Sequence, residues 1–213
     1  MTARLRRIAP VLGAALALTA AAAGPAHADA DEASLHAEVI GGAARIEDEL
    51  AAKTATSPLV GVGGRFSFAR SNLVQWEGRA AVATASATYP GLMIIVGGVP
   101  RTGDLTRRTT IARLEVGATL RFGVRFVPTL HLGVGAQARL RGTGTLDGVA
   151  VADGDGTGVD LIGAGAVGFD YRFGPRTIAG VSVGATIAVP LGGPAYQAME
   201  GGLHFAHYWY PRW

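Results

Sequence analysis

The chain of 213 residues contains no cysteine. That absence removes disulfide staples, a thiolate nucleophile and the acylated cysteine of a lipoprotein anchor. Charge of one sign is also missing. The formal net charge of +3 comes from 19 basic and 16 acidic residues. Arg4, Arg6 and Arg7 at the N-terminus account for the whole excess. The remainder is balanced and leaves no basic footprint for a nucleic-acid partner. Long apolar runs are absent as well: after the first two dozen residues no stretch of about 20 apolar residues occurs, which excludes a helical membrane span. The helix period of hydrophobicity is nearly missing too. Even so, apolar residues make up 49% of the chain and glycine is abundant at 32 residues, so the apolar content must be spread over short segments.

The N-terminus reads as a secretory signal. Its arginines precede an apolar run from Ile8 to about Ala23, followed by Gly24, Pro25 and the small-residue triplet Ala26-His27-Ala28. Residues 1–28 are therefore expected to be cleaved, with a short N-terminal segment at 29–34 and a single domain from 35 to 213. The pair Arg6-Arg7 fits twin-arginine export more weakly.

Alternation in steps of two marks strands whose faces meet different surroundings. It is clear over 58–69, 73–86, 108–122, 126–141, 159–173, 177–189 and 197–210, and weak over 35–43. One face is continuously apolar, through Val60, Val62, Phe66, Phe68, Trp76, Val82, Leu114, Val116, Leu132, Val134, Leu161, Val167, Phe169, Val181, Val183, Ile187, Leu203, Phe205 and Trp209. The other carries Arg65, Glu77, Arg79, Arg113, Glu115, Arg121, His131, Gln137, Arg139, Asp160, Asp170, Arg172, Glu200 and His204, separated mostly by Gly, Ala, Ser and Thr. Burying these charges in an oily core would cost several kcal/mol each unless they were paired, so a soluble barrel with an apolar inside is a poor fit. Turned around, the apolar face meets lipid and the charges meet one another in a narrow lumen. Lipid offers no partner to an open sheet edge, so the strands must close into an all-β, eight-stranded, antiparallel up-and-down transmembrane barrel. Pro128, near a strand start, is expected at the rim.

Connections alternate in length. Brief turns fall at Arg70-Ser71-Asn72, Gly123-Val124-Arg125 and Gly174-Pro175-Arg176, with longer loops near 44–57, 87–107, 142–158 and 190–196. Outer-membrane barrels have short periplasmic turns and long extracellular loops, which orients the chain. Aromatics gather at the short-turn end, where Phe66, Phe68, Trp76, Phe122, Phe126, Phe169, Tyr171, Trp209 and Trp213 are expected to form a periplasmic girdle. Only Tyr89 and Tyr196 lie in or beside the long loops.

From about residue 35 the chain resembles the small eight-stranded outer-membrane barrels of the OmpA/OmpX type. Its end, Leu203-His204-Phe205-Ala206-His207-Tyr208-Trp209-Tyr210-Pro211-Arg212-Trp213, is similar to their assembly signal of alternating apolar residues closing on an aromatic, although Pro211 departs from it. The resemblance implies an outer-membrane location, contact with outer-membrane lipids, recognition by the barrel-assembly machinery and a monomeric state. It carries no diagnostic functional motif.

Eight strands leave an interior just filled by side chains, so the inward charges are expected to form a structural ionic lattice, with Arg113 and Glu115, and Glu77 and Arg79, two apart on one face. A narrow channel is the alternative. Asp147-Gly148, with Asp153-Gly154-Asp155-Gly156-Thr157-Gly158 and Asp160, resembles a calcium loop only loosely, lacks its bidentate acid, and reads first as a turn cluster. No metal or cofactor is expected. An enzyme acting on lipid is the least favoured reading, because His131 and His204 point inward and no histidine has a neighbouring serine in the lipid A deacylase pattern. The apolar loop from Tyr89 to Pro100 should extend its strands above the membrane, or else fold over the mouth or meet a partner. In the first long loop, Ile46 with Leu50 and Glu49 with Lys53 have the spacing of a short surface helix. The expected role is structural or surface-interacting, through the loops. Intact-mass analysis of the exported protein should give a chain beginning at Asp29; a mature chain that keeps residues 1–28 would contradict the signal-peptide reading.

Overall fold

Residues 32–69, 71, 73–123, 125–151, 156–191 and 195–210 are described by a computed structural model. The signal-peptide residues, Arg70, Asn72, Val124, Asp153-Gly154-Asp155 and Pro211-Arg212-Trp213 lie outside the described residues.

The chain forms β1 (Glu32–Asp48), β2 (Lys53–Ala69), β3 (Val74–Val96), β4 (Val99–Arg121), β5 (Phe126–Arg141), a small hairpin of β6 (Gly144–Leu146) and β7 (Val149–Val151), then β8 (Thr157–Gly174), β9 (Thr177–Pro190) and β10 (Tyr196–Trp209). All pairings are antiparallel. Around the sheet the order runs β3-β2-β1-β10-β9-β8-β5-β4, and β4 pairs back onto β3, so eight strands close a ring. The last gap is sealed by the chain's two ends, with Ala33 opposite Trp209 and Ile46 opposite Tyr196. Every strand of the ring thereby has two neighbours, which is what a hydrocarbon solvent demands of the backbone.

The alternating face follows from the sequence parity. Leu114, Val116 and Leu132 are 62–68% exposed, while Arg113 and Glu115 between them are buried. On β1 the same parity puts Leu35 and Val39 outside and Glu32, Ser34, His36 and Glu38 inside. The weakly alternating segment at 35–43 is thus the middle of a strand of 17 residues.

The strands outrun the expected segments at the long-loop end. The expected loop at 44–57 is a tight turn between Asp48 and Lys53, closed by the Ala51 N–H on the Asp48 carboxylate at 3.0 Å. The surface helix anticipated there does not form: Ile46 and Lys53 belong to paired strands, and only the turn residues separate them. Residues 87–107 continue β3 and β4 as a hairpin that ends in a two-residue turn, Gly97-Gly98, with φ of 60° and 83°. Both values are left-handed, as the type I′ turn requires. Asp147-Gly148 makes the corresponding turn between β6 and β7, at φ of 46° and 83°, so this half of the calcium-loop resemblance is turn chemistry. Among the described residues no cluster fit to hold a metal occurs.

Pro128 is accommodated at the end of a ladder. The β4–β5 register stops at Arg121 opposite Thr129, and the Pro128 carbonyl accepts the Phe122 N–H at 3.0 Å. Backbone N–H and C=O of one strand residue point the same way, so its missing N–H faces β4 just beyond the last register pair and costs no ladder bond.

An arginine in place of Val116, on the lipid face, should destabilise the barrel by about 2–4 kcal/mol in phospholipid vesicles, falling to about 0–1 kcal/mol at an interfacial position such as Thr110. Denaturant titrations of the two variants check this depth dependence; equal costs would contradict the assigned lipid face.

Candidate functional site

The interior is the most distinctive part of the molecule. Among the described residues its inward face carries the carboxylates Glu32, Glu38, Asp48, Glu77, Glu115, Asp160, Asp170 and Glu200, and the arginines Arg65, Arg79, Arg107, Arg113, Arg121, Arg139, Arg141 and Arg172. His36, His131 and His204 are buried among them.

These groups pair between strands, not along them. Arg113 on β4 reaches across the lumen to Glu200 on β10, the strand diametrically opposite in the ring, with Nη2 to Oε1 at 2.6 Å and Nη1 to Oε2 at 2.9 Å. Arg139 grips Asp160 on the neighbouring β8 in the same two-pronged way, at 2.6 and 2.7 Å, and Gln137 donates to the same carboxylate at 2.8 Å. Such forked contacts are the strong form of an arginine–carboxylate pair. Arg79 lies 2.5 Å from Glu38 and 3.5 Å from Glu115, and Arg65 lies 3.0 Å from Glu77. The His131 ring bridges Glu115 at 2.5 Å and Glu77 at 3.4 Å, and His204 meets Asp170 at 2.9 Å. Arg172 and Arg121 converge on Glu32 at 3.0 and 3.6 Å, and both lie over the Tyr208 ring at 5.4 and 5.2 Å.

The structure turns the fourteen residues from Arg65 to His204 named for the polar face inward, and their pairs run between strands. Arg113 is not paired with Glu115, nor Glu77 with Arg79; residues two apart on a strand point the same way, and the partners come from other strands. Glu32, His36, Glu38, Asp48 and Arg107 escaped the sequence reading. A signal existed, since Glu32, Ser34, His36 and Glu38 follow the strand period, but it lay partly outside the segment taken as strand.

Toward the end of the long β3–β4 hairpin, apolar residues join the charges in the lumen. Ala44, Ile46, Leu59, Ala83, Ala85, Ile111, Ile162, Ala188, Tyr196 and Ala198 form one buried cluster to which every ring strand except β5 contributes. Above it, Arg107 bridges the bore to Asp48 at 3.1 Å. A second cluster, Ala51, Ala87, Tyr89, Leu105, Leu146 and Val151, caps the mouth, and Leu92, Ile94 and Val96 of the β3–β4 hairpin pack against it. Both loop tyrosines point inward. Below the apolar layer lies a pocket of about 60 Å³ among His36, His131, His204 and the small residues Ala164, Ala166 and Gly184, room for about four waters.

The outer wall is apolar around the ring. Near the short turns, Phe126 stacks with Tyr171 at 5.0 Å and Phe169 at 5.8 Å, and Phe66 lies 6.2 Å from Trp209. Phe66, Trp76, Phe126, Phe169 and Trp209 are exposed there, while Phe68, Phe122 and Tyr171 are half-buried. Tyr208, in the same stretch, faces the lumen. Trp213 lies outside the described residues.

A closed ring with charges inside, oily residues outside and rings at one rim has one compatible solvent, a bilayer. Neisserial surface protein A superposes with a TM-score of 0.51 over 84% of this chain and 97% of its own, at 10% identity. The fold is that of the small eight-stranded outer-membrane barrels. Ail, the attachment invasion locus protein of Yersinia pestis, solved with the heparin analogue sucrose octasulfate, aligns at a TM-score of 0.49 and 10% identity, over 85% of this chain and all of that one. The N-terminal β-barrel domain of Pseudomonas aeruginosa OprF gives 0.39 at 17% identity, over 83% and 97%. No family model and no curated protein matches the chain. The barrel is thus an integral protein of the bacterial outer membrane, placed there by its fold and its lipid-facing wall.

One histidine does have serine neighbours. His36 Nε2 lies 2.9 Å from Ser34 Oγ and 3.2 Å from Ser67 Oγ, and Gln75 donates to both hydroxyls at 3.1 and 2.6 Å. The other His36 nitrogen faces the Arg65 guanidinium at 3.4 Å where a triad would place a carboxylate, and the group is sealed inside the bore.

Replacing Glu200 by leucine should cost about 3–5 kcal/mol, since it leaves Arg113 buried and bare, whereas the double replacement of Arg113 and Glu200 by leucine should recover most of that loss. Equilibrium unfolding of the two variants checks this; equal destabilisation would contradict the pairing.

Proposed function

We propose that the protein is a non-conducting outer-membrane barrel whose interior serves stability and whose extracellular hairpins do its work at the cell surface. The observation that carries this reading is the apolar cluster drawn from seven of the eight ring strands, which packs the bore together with the Arg113–Glu200 and Arg139–Asp160 pairs. An ion crossing this layer would have to displace packed aliphatic residues and side chains already bound in the Arg113–Glu200 and Arg139–Asp160 pairs. The surface role rests on the β3–β4 hairpin. Beyond Ser86 its inner face packs on the mouth, and its outer face presents Met93, Ile95 and Val99, 56–76% exposed. That is an apolar surface held on a rigid ribbon, suited to contact with another macromolecule.

The barrel closes on its own strands, which supports a monomer, and its alternating last strand suits recognition by the barrel-assembly machinery. The Arg65 guanidinium facing His36 Nδ1, where a triad would place its acid, disfavours a catalytic reading. Purified protein in planar bilayers should show no stepwise conductance, while replacing Leu59 and Ile111 with glycine should open small steps. Unit conductance from the unaltered protein would overturn the structural reading in favour of a channel.

A further inference from the structure

The geometry points to a lipid-binding site on the outer wall of β4, β5 and β8, shaped for a phosphate-bearing glycolipid of the outer leaflet. On these strands the outward residues fall in register rows. Leu114, Ala136 and Leu161 form the lowest, Ala112, Ala138 and Val159 the next, and Thr110, Leu140 and Thr157 the third. Above them, Arg108 stands beside Gly142, whose N–H donates to the Arg108 carbonyl at 2.9 Å. The rows grade from wholly apolar, through two hydroxyls, to a cation.

Two hollows follow the gradient. In the lower, which extends from β4 and β5 onto β3 and β2, alanines 80, 112, 136 and 138 floor a groove of about 490 Å³ between Val62, Val82, Leu114 and Val159. The upper, of about 330 Å³, is lined by the outward residues Arg108, Thr110, Leu140 and Thr157, with Arg141 behind them, which is paired with Glu49 at 3.5 Å. Arg108 stands four residues above Ala112 on the same strand, about 13 Å at the strand rise. That spacing separates a headgroup phosphate from the first part of its acyl chains.

The occupant follows from position and charge. The lower groove lies in the lipid-facing band, so what fills it is an acyl chain. The upper end lies at the extracellular rim, so the lipid belongs to the outer leaflet. Arg108 is exposed, and among the described residues no carboxylate engages it, whereas Arg107 beside it is held inside by Asp48. A guanidinium fork flanked by the Thr110 and Thr157 hydroxyls supplies donors matched to the oxygens of a phosphate.

Native mass spectrometry of the full-length exported protein in detergent, titrated with diphosphoryl lipid A, tests this. One lipid A should remain bound to the unaltered protein. Arg108→Ala should weaken retention about tenfold, and Ala112→Phe with Ala138→Phe, which fill the groove, should weaken it comparably. Arg45→Ala, an exposed outward arginine on β1, should leave it unchanged, and lipid A stripped of its phosphates should bind no better to the unaltered protein than intact lipid A does to Arg108→Ala. Folding of each variant is checked by its heat-modifiable gel mobility. Undiminished binding by Arg108→Ala, an equal loss in Arg45→Ala, or equal binding of the dephosphorylated lipid would each overturn the site.

Discussion

Hydrocarbon offers no hydrogen-bond partner, and each unsatisfied backbone group placed in it costs several kcal/mol. Everything else in this structure depends on that constraint. It requires the ring of eight strands to close, here through the pairing of β1 with β10 and of β3 with β4. Once the ring is closed, the period of two leaves each residue only lipid or lumen to face. Charged residues at membrane depth then have the bore as their refuge, and a bore of eight strands is narrow.

That narrowness explains the character of the interior. Long arginines can span it and find acids on other strands, as Arg113 does with Glu200, because facing positions are occupied by glycine and alanine, notably on β8 and β9. His131, wedged between Glu77 and Glu115, ties two of these carboxylates together. The upper bore adds aliphatic packing around its ion pairs. Polar pairing and apolar packing thus share the interior.

Much of this was legible in the sequence. The parity of Leu114 and Val116 against Arg113 and Glu115 assigned inside and outside at once, since one slip of register would send charges into lipid. Closure followed from physics without any knowledge of register. What could not be read was which charges meet. Arg113 and Glu200 are 87 residues apart, and nothing local links them; their encounter depends on the stagger of the closed ring. Strand ends were also misjudged. The outward period fades where Thr, Ser and Gly replace valine and leucine above the membrane, so continuing strands resembled loops. The inward apolar residues Ile46, Leu59, Ile111 and Ile162 were not legible as a layer because each stands alone among small or polar neighbours on the inner face of its own strand; only the ring assembles them.

The central claim is that even-numbered residues of β4 face lipid while odd-numbered ones fill a sealed bore. The absence of native cysteine makes a direct measurement straightforward: single cysteines placed from 111 to 117, spin-labelled in the protein inserted in phospholipid vesicles, and exposed in turn to lipid-soluble oxygen and a water-soluble collider. The account predicts strong oxygen collisions at 112, 114 and 116, and weak collisions with both agents at 111, 113 and 115. Collisions of the water-soluble agent at the odd positions would show an open aqueous bore, and an inverted or flat pattern would show that the faces have been assigned wrongly.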